Sequence, residues 1–302
     1  VSRILLQTYF YKLIKFLIII VLFMFLLGCG SSSGQQQGTH NFKQGYGSLN
    51  IRFLDNSPPE KIYQSSKFKM IVELDNQAAY DLKNGQLKIV GVDEKFFLMS
   101  SPLINDFQTL MGKSLISPSG EKIFVEFDAT ALNELFENAE RFQNPFFAKV
   151  SFDSIFEFTD TVCINPNLYE VYDSGCKVQP KKSYSGQGAP VAVTELECVI
   201  YPSSAGTEAE FRIMVKNRGS GKANLVNLEG AKLGNQELKD CHFQNYVKDS
   251  EGKKVLFYEK KQEDLLICKI FLRDQLSYET TLSLDFSYDY EISKKHQLNM
   301  YK

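Results

Sequence analysis

Apolar and polar residues alternate at period two along much of this chain, and the alternation predicts strands. Leu49, Ile51 and Phe53 are apolar between polar neighbours, and Phe68, Met70, Val72 and Leu74 repeat the pattern before a turn at Asp75-Asn76. Further strands are predicted at 86–90, after the turn signal Asn84-Gly85, and at 123–127. A long one covers 146–163, with Ala148, Val150, Phe152, Phe156 and Phe158 on one face, and the last carries Leu282, Leu284, Phe286, Tyr288 and Tyr290. Strands of this kind belong to antiparallel sheets with one face covered. One stretch departs from the period. Leu132, Leu135, Phe136, Ala139 and Phe142 recur at helical spacing between Thr130, a suitable N-cap, and the stop at Asn144-Pro145, which predicts one short helix.

The strands fall into two sets, 48–180 and 190–302, separated by a linker at 181–189 (Lys-Lys-Ser-Tyr-Ser-Gly-Gln-Gly-Ala). Phe211-Arg212-Ile213-Met214-Val215-Lys216-Asn217 lines up with the segment from Phe68 to Asn76, apart from two residues before the Asn, and the aromatic rows of the two long strands correspond. Shared order over a whole set argues for an internal duplication. Val215-Lys216-Asn217-Arg218-Gly219-Ser220-Gly221, with the alternation before it, resembles the strand-Asn-Gly turn of CARDB-like immunoglobulin-type domains of archaeal and bacterial surface proteins. Val72 to Gly85 resembles a more divergent copy, with Ala78-Ala79 where glycine is expected. The resemblance implies an all-β fold of two tandem immunoglobulin-like antiparallel β-sandwich domains. It also implies a role as surface spacer, adhesion module or assembly part, and it brings no catalytic residues.

Ahead of the strands, Arg3, Lys12 and Lys15 precede an unbroken apolar run of twelve residues, Phe16 to Leu27. A spanning helix needs about 20 such residues, so the run suits the core of an export signal. Leu26-Leu27-Gly28-Cys29 resembles the lipobox of lipoprotein signal peptides, in which the cysteine is lipidated and becomes the new N-terminus. The expectation is a signal and lipid anchor at 1–29 with Cys29 as the lipidation site. The competing expectation is an uncleaved N-terminal membrane helix. A Gly-, Ser- and Gln-rich segment at 30–47 then reads as a tether. The chain starts at Val1, so residues upstream of the signal are expected to be missing or the start codon to be non-standard.

Removing residues 1–28 leaves 274 residues, enough for two cores at roughly 100–150 residues per domain. It also takes away three positive charges and moves the formal balance from −2 to −5. Dispersed lysines in a mildly acidic chain do not suit nucleic acid. In an exported chain the cysteines read as disulfides; Cys163 with Cys176 and Cys241 with Cys268 are each close in sequence and within one proposed domain, which leaves Cys198 as a buried thiol.

No motif adds chemistry. Gly219-Ser220-Gly221-Lys222 lacks the spacing of a phosphate loop, Gly186-x-Gly188 precedes a proline rather than a helix, and Cys241-His242 are strand neighbours that face opposite sides. Asp75, Asn76 and Asp81 cluster at a turn without calcium-loop spacing, and no metal or other cofactor site is predicted. The expectation is therefore a non-enzymatic module, membrane-anchored on the extracytoplasmic face of the cell envelope, that binds a surface protein or a glycan. The alternatives are an envelope hydrolase with a carboxylate pair at the domain junction and a solute-binding lipoprotein.

Overall fold

The computed structural model describes residues 41–302 apart from 134–138, 166–175, 249, 259 and 274–276. The strands are β1 (Leu49–Phe53), β2 (Ile62–Tyr63), β3 (Lys67–Asn76), β4 (Leu82–Val90), β5 (Phe97–Met99), β6 (Ile104–Leu110), β7 (Lys122–Ala131), β8 (Arg141–Ile164) and β9 (Lys181–Ser183). They continue with β10 (Val191–Ser203), β11 (Gly206–Asn217), β12 (Lys222–Leu233), β13 (Gln236–Glu237), β14 (Asp240–Phe243), β15 (Lys254–Leu256), β16 (Glu263–Leu272) and β17 (Tyr278–Tyr301). The fold is an all-β, antiparallel sandwich.

β8 and β17 organise it. Each has 24 residues, and they pair antiparallel over their whole length, from Ile164 opposite Tyr278 to Arg141 opposite Tyr301. At about 3.3 Å per residue the ladder runs for ~80 Å. Most even-numbered positions, among them Phe146, Val150, Phe156, Leu284, Phe286 and Met300, are buried along both strands, and Lys294 is an exposed exception. Most odd-numbered positions are polar and at least partly exposed, so one face of the ladder is covered over most of its length.

The ladder is the middle of a sheet ordered β13-β12-β17-β8-β4-β6, with β15 beside β12 and β2 parallel to the last residues of β17. Two smaller sheets complete the sandwich, β1-β3-β7-β5 and β9-β10-β11-β16-β14. Their shared part runs in the same order, since β1, β3, β7 and β5 correspond to β10, β11, β16 and β14 in chain sequence. The flanks of the ladder correspond as well, β4 and β6 on β8 with β12 and β15 on β17, and β4 and β12 each slip register after their first residues.

Both long strands serve both ends. Phe53 of β1 sits 4.5 Å from His296 and 5.3 Å from Phe146, so the C-terminal end of β17 packs with the first small sheet. At the other end Phe158 of β8 meets Tyr184, just after β9, edge-on at 4.9 Å. Of these rings Phe146 and Phe158 are buried, and a fully buried Phe contributes roughly 1.5–3 kcal/mol. Asn41–Lys302 accordingly form one compact unit.

The expected helix is not found among the described residues. β7 ends at Ala131 and β8 begins at Arg141, and the middle of the proposed helix, 134–138, lies outside the description. Phe142 takes a strand position and stacks on Phe96 at 3.9 Å, so the partner that buries it is a ring from across the sandwich rather than a helical neighbour. The 181–189 segment is partly structural. β9 pairs with β10, Ala189 is fully buried, and the Gln187 side chain both donates to the Val193 carbonyl (3.1 Å) and accepts from its N–H (2.9 Å). No helix among the described residues is long and apolar enough to cross a membrane.

Candidate binding surface at the junction

Where the two small sheets approach each other, two asparagines hold equivalent turns. At the end of β3, Asn76 Oδ1 accepts from the N–H of Ala78 (3.0 Å) while its Nδ2 donates to the carbonyl of Tyr80 (3.0 Å). At the end of β11, Asn217 Oδ1 accepts from Gly219 (3.0 Å) and its Nδ2 donates to Gly221 (2.9 Å). The same bonds at i+2 and i+4 mean that both turns use the short amide as a stand-in for backbone. Each amide also reaches the neighbouring connection, Asn76 to the Leu110 carbonyl and Asn217 to Gln262 Oε1.

Around these turns the segments at 42–48, 77–81, 186–190 and 218–221 interlock. Gly188 donates to the Gly45 carbonyl (2.8 Å), its own carbonyl accepts from Ala79 (2.7 Å), and Arg218 donates to Pro190 (2.8 Å). Gly188 has φ +78°, and a Cβ there would strike the Phe42 carbonyl and Ala79, so only glycine fits. Lys43 forms an ion pair with Glu157. Beside this knot lies an open polar cleft of about 720 Å³, whose walls include Asn41, Tyr46, Ser48, Lys113, Ser220 and Lys294.

On the outer face of the ladder Asp153 stands directly opposite Asp289, near its midpoint. Burial lifts the Asp289 carboxyl above its ordinary value and the facing Asp153 adds to the effect, with Lys254 opposing. Asn84 donates to Asp153 at 2.9 Å. Further along β8, burial disfavours the charge on Asp160, but hydrogen bonds from Lys182 (2.8 Å) and Tyr184 (2.6 Å) outweigh it and hold the carboxyl below its usual value. The other acids at the junction are used internally. Asp75 pairs with Lys122 (3.1 Å) and Gln77 (3.0 Å), and Asp81 accepts from the Gly112 N–H (2.9 Å). Among the described residues no group of three or more His, Cys, Asp or Glu is placed to hold a metal ion.

The residues singled out in the sequence are dispersed. Cys29 lies outside the described residues. Cys163 is bonded to Cys176 near the end of β8, and Cys241 is bonded to Cys268, its cross-strand partner between β14 and β16. Cys198 is a free thiol, and burial pushes it up to about 12. Gly219 to Lys222 form the turn of Asn217, where Tyr290 OH accepts from Gly221 at 2.9 Å. His242 is in a strand, partly exposed, beside the bonded Cys241. Two features escaped the sequence reading: the Asp153–Asp289 pair, whose members are far apart in the chain, and Leu115-Ile116, an apolar pair with no period around it.

No protein-family profile matches the chain, and no curated protein is recognisably similar to it. Among solved structures it is similar, at 8% identity, to the C-terminal domain of the Streptococcus pyogenes antigen I/II-family protein AspA, over 85% of this chain and 100% of that one with a TM-score of 0.17. It is similar at 8% identity to procruciferin, an 11S globulin from Brassica napus, over 84% of each chain with a TM-score of 0.12. Likenesses this slight carry no argument about function. The two disulfides are compatible with an extracytoplasmic location.

Proposed function

We propose that this chain is a lipid-anchored, extracytoplasmic binding or assembly module of the cell envelope, without enzymatic activity, built from two immunoglobulin-like repeats. The order β1-β3-β7-β5 and its counterpart correspond to the A-B-E-D sheet of such domains, with β4 and β8, or β12 and β17, as the facing C and F strands. Each repeat takes the other's long strand where the last strand of the facing sheet would lie. One observation carries the reading: the two repeats share a ladder of 24 residue pairs. A body of this kind sets distance and orientation, as a spacer or assembly part must, whereas a solute-binding protein needs lobes that close on a pocket. Its partner is a surface protein or a glycan. Lipid on Cys29 holds it to the membrane.

The test is intact-mass analysis of protein extracted from envelope membranes by detergent. A mass lacking residues 1–28 and carrying added acyl groups is expected, and an intact N-terminus in a soluble fraction would defeat the anchor.

The Asp153–Asp289 pair favours a second reading, an envelope hydrolase using two carboxylates of unequal acidity. Directly opposed Cβ atoms in a ladder are only about 4.5–5.5 Å apart, which suits one shared proton better than a substrate between them. Turnover of glycan or peptide substrates by the purified chain, abolished in Asp289→Asn, would establish the hydrolase instead.

A further inference from the structure

The segment joining β6 to β7 holds two consecutive apolar residues in water. Leu115 is 82% and Ile116 98% exposed. They do not sit on a slack loop. Its base is closed by Glu121 N–H to the Met111 carbonyl (3.0 Å) and Met111 N–H to Glu121 Oε2 (2.7 Å). Its tip is closed by Ser114 N–H to the Ser117 carbonyl (3.0 Å), Ser117 N–H to Ser114 Oγ (3.0 Å) and Gly120 N–H to Ser117 (3.1 Å). Lys113 and Gly112 tie it to Ala78 and Asp81. Gly120 has φ +75°, and a Cβ there would strike the Asn76 carbonyl, so the frame has its glycine where the backbone requires one. The apolar pair is therefore presented rather than left over.

What lies around the pair indicates what receives it. Met111–Glu121 contains a single acid, Glu121, whose carboxylate is held at the loop base by the Met111 N–H, and the tip is flanked by Lys113, Ser114 and Ser117. Lys113 of this loop lines the same 720 Å³ cleft as Asn41. From Asn41 the chain leads back to Cys29 through residues 30–40, which even fully extended span only about 40 Å at 3.3–3.6 Å per residue. Resting on the lipid-anchor reading, we propose that Leu115 and Ile116 enter the surface of the bilayer that holds Cys29. The loop becomes a second membrane contact that fixes the orientation of the rigid body instead of leaving it to swing on the tether.

The test uses the full lipid-bearing chain, reconstituted into phosphatidylethanolamine–phosphatidylglycerol vesicles. An environment-sensitive dye is placed at Ile116→Cys and, as a control, at Phe271→Cys, both in a Cys198→Ala background. Phe271 is also exposed but pairs with Glu208, near the end of β11 remote from Asn217. Expected is flotation with the vesicles, together with blue-shifted emission and loss of signal to nitroxide lipids at 116 and no change at 271. Flotation with the 116 dye still in water overturns the insertion and leaves the anchor standing. Equal shifts at both positions, or a shift at 116 before vesicles are added, overturn it in favour of general adsorption or self-association. Failure to float removes the anchor and the insertion with it.

Discussion

The two repeats hold the same short strand in different ways. In the first, β5 lies against β7 with Phe97 fully buried opposite Ala131, its ring edge-on to Phe68 at 5.9 Å. In the second, β14 lies against β16 and the cross-strand position is a disulfide, Cys241–Cys268. The connection before β7 and its counterpart β16 differs too. The first repeat has the apolar-tipped Met111–Glu121 loop, whereas the second passes from β15 to β16 with Lys260, Lys261 and a Gln262 whose side chain bonds Asn217 and Ala223. Strand order and the Asn turns are common to both, so the shared frame specifies the fold. The non-shared connections are where the surfaces of the two repeats differ.

Breaking β5 and β14 in turn tests whether they are two solutions to one problem. Phe97→Ala should destabilise by about 3–5 kcal/mol through the cavity it leaves, measured by urea unfolding. The Cys241→Ser/Cys268→Ser pair should cost somewhat less, about 3–4 kcal/mol for a closed loop of this length. If reduction leaves stability untouched, packing holds both strands and the contrast fails.

The asparagine turns sharpen it next. Asn76→Ala and Asn217→Ala each strand backbone groups, at about 1–3 kcal/mol for buried ones. Asn76 is fully buried and Asn217 only partly, so the first should cost more, and equal costs would count against burial as the cause.

The smallest effect belongs to the ladder they share. Burial and Asp153 raise the Asp289 carboxyl in the folded chain, so the folded state binds that proton more readily than the unfolded one. The resulting penalty is absent below the ordinary carboxylate range, grows as pH rises through the raised value and is complete above it. Asp289→Asn should therefore stabilise by about 0.5 kcal/mol at neutral pH, after solvent screening is allowed for, and by nothing near pH 3. A gain that persists in acid would point to a cause other than charge.

Much of this frame was legible in the residues. Period-two runs located β3, β8 and β17, and the alignment of Phe211–Asn217 with Phe68–Asn76 picked out two turns that share their hydrogen bonds. Alternation names the face of a strand but not its neighbour, so the pairing of β8 with β17 was invisible; it depends on contacts more than a hundred residues apart. The helix was misread for a related reason. Leu132 and Phe142 fit a 3.6-residue period by number, while Phe142 stacks on Phe96 in the turn before β5. At the junction, Asp153 and Asp289 meet only through the ladder register, and Leu115-Ile116 is marked out by its exposure, which no pattern of neighbours announces.

The central claim is that the two repeats form one body because β8 and β17 are a single ladder. Native-state hydrogen exchange tests it most directly. The account predicts that ladder amides of Ser151–Glu157 and Asp285–Glu291 are the slowest in the molecule and exchange with the same free energy, that of global unfolding. If the amides of one repeat, β8 included, open at a distinctly lower free energy while those of the other stay protected, the repeats unfold separately and the shared ladder does not unite them.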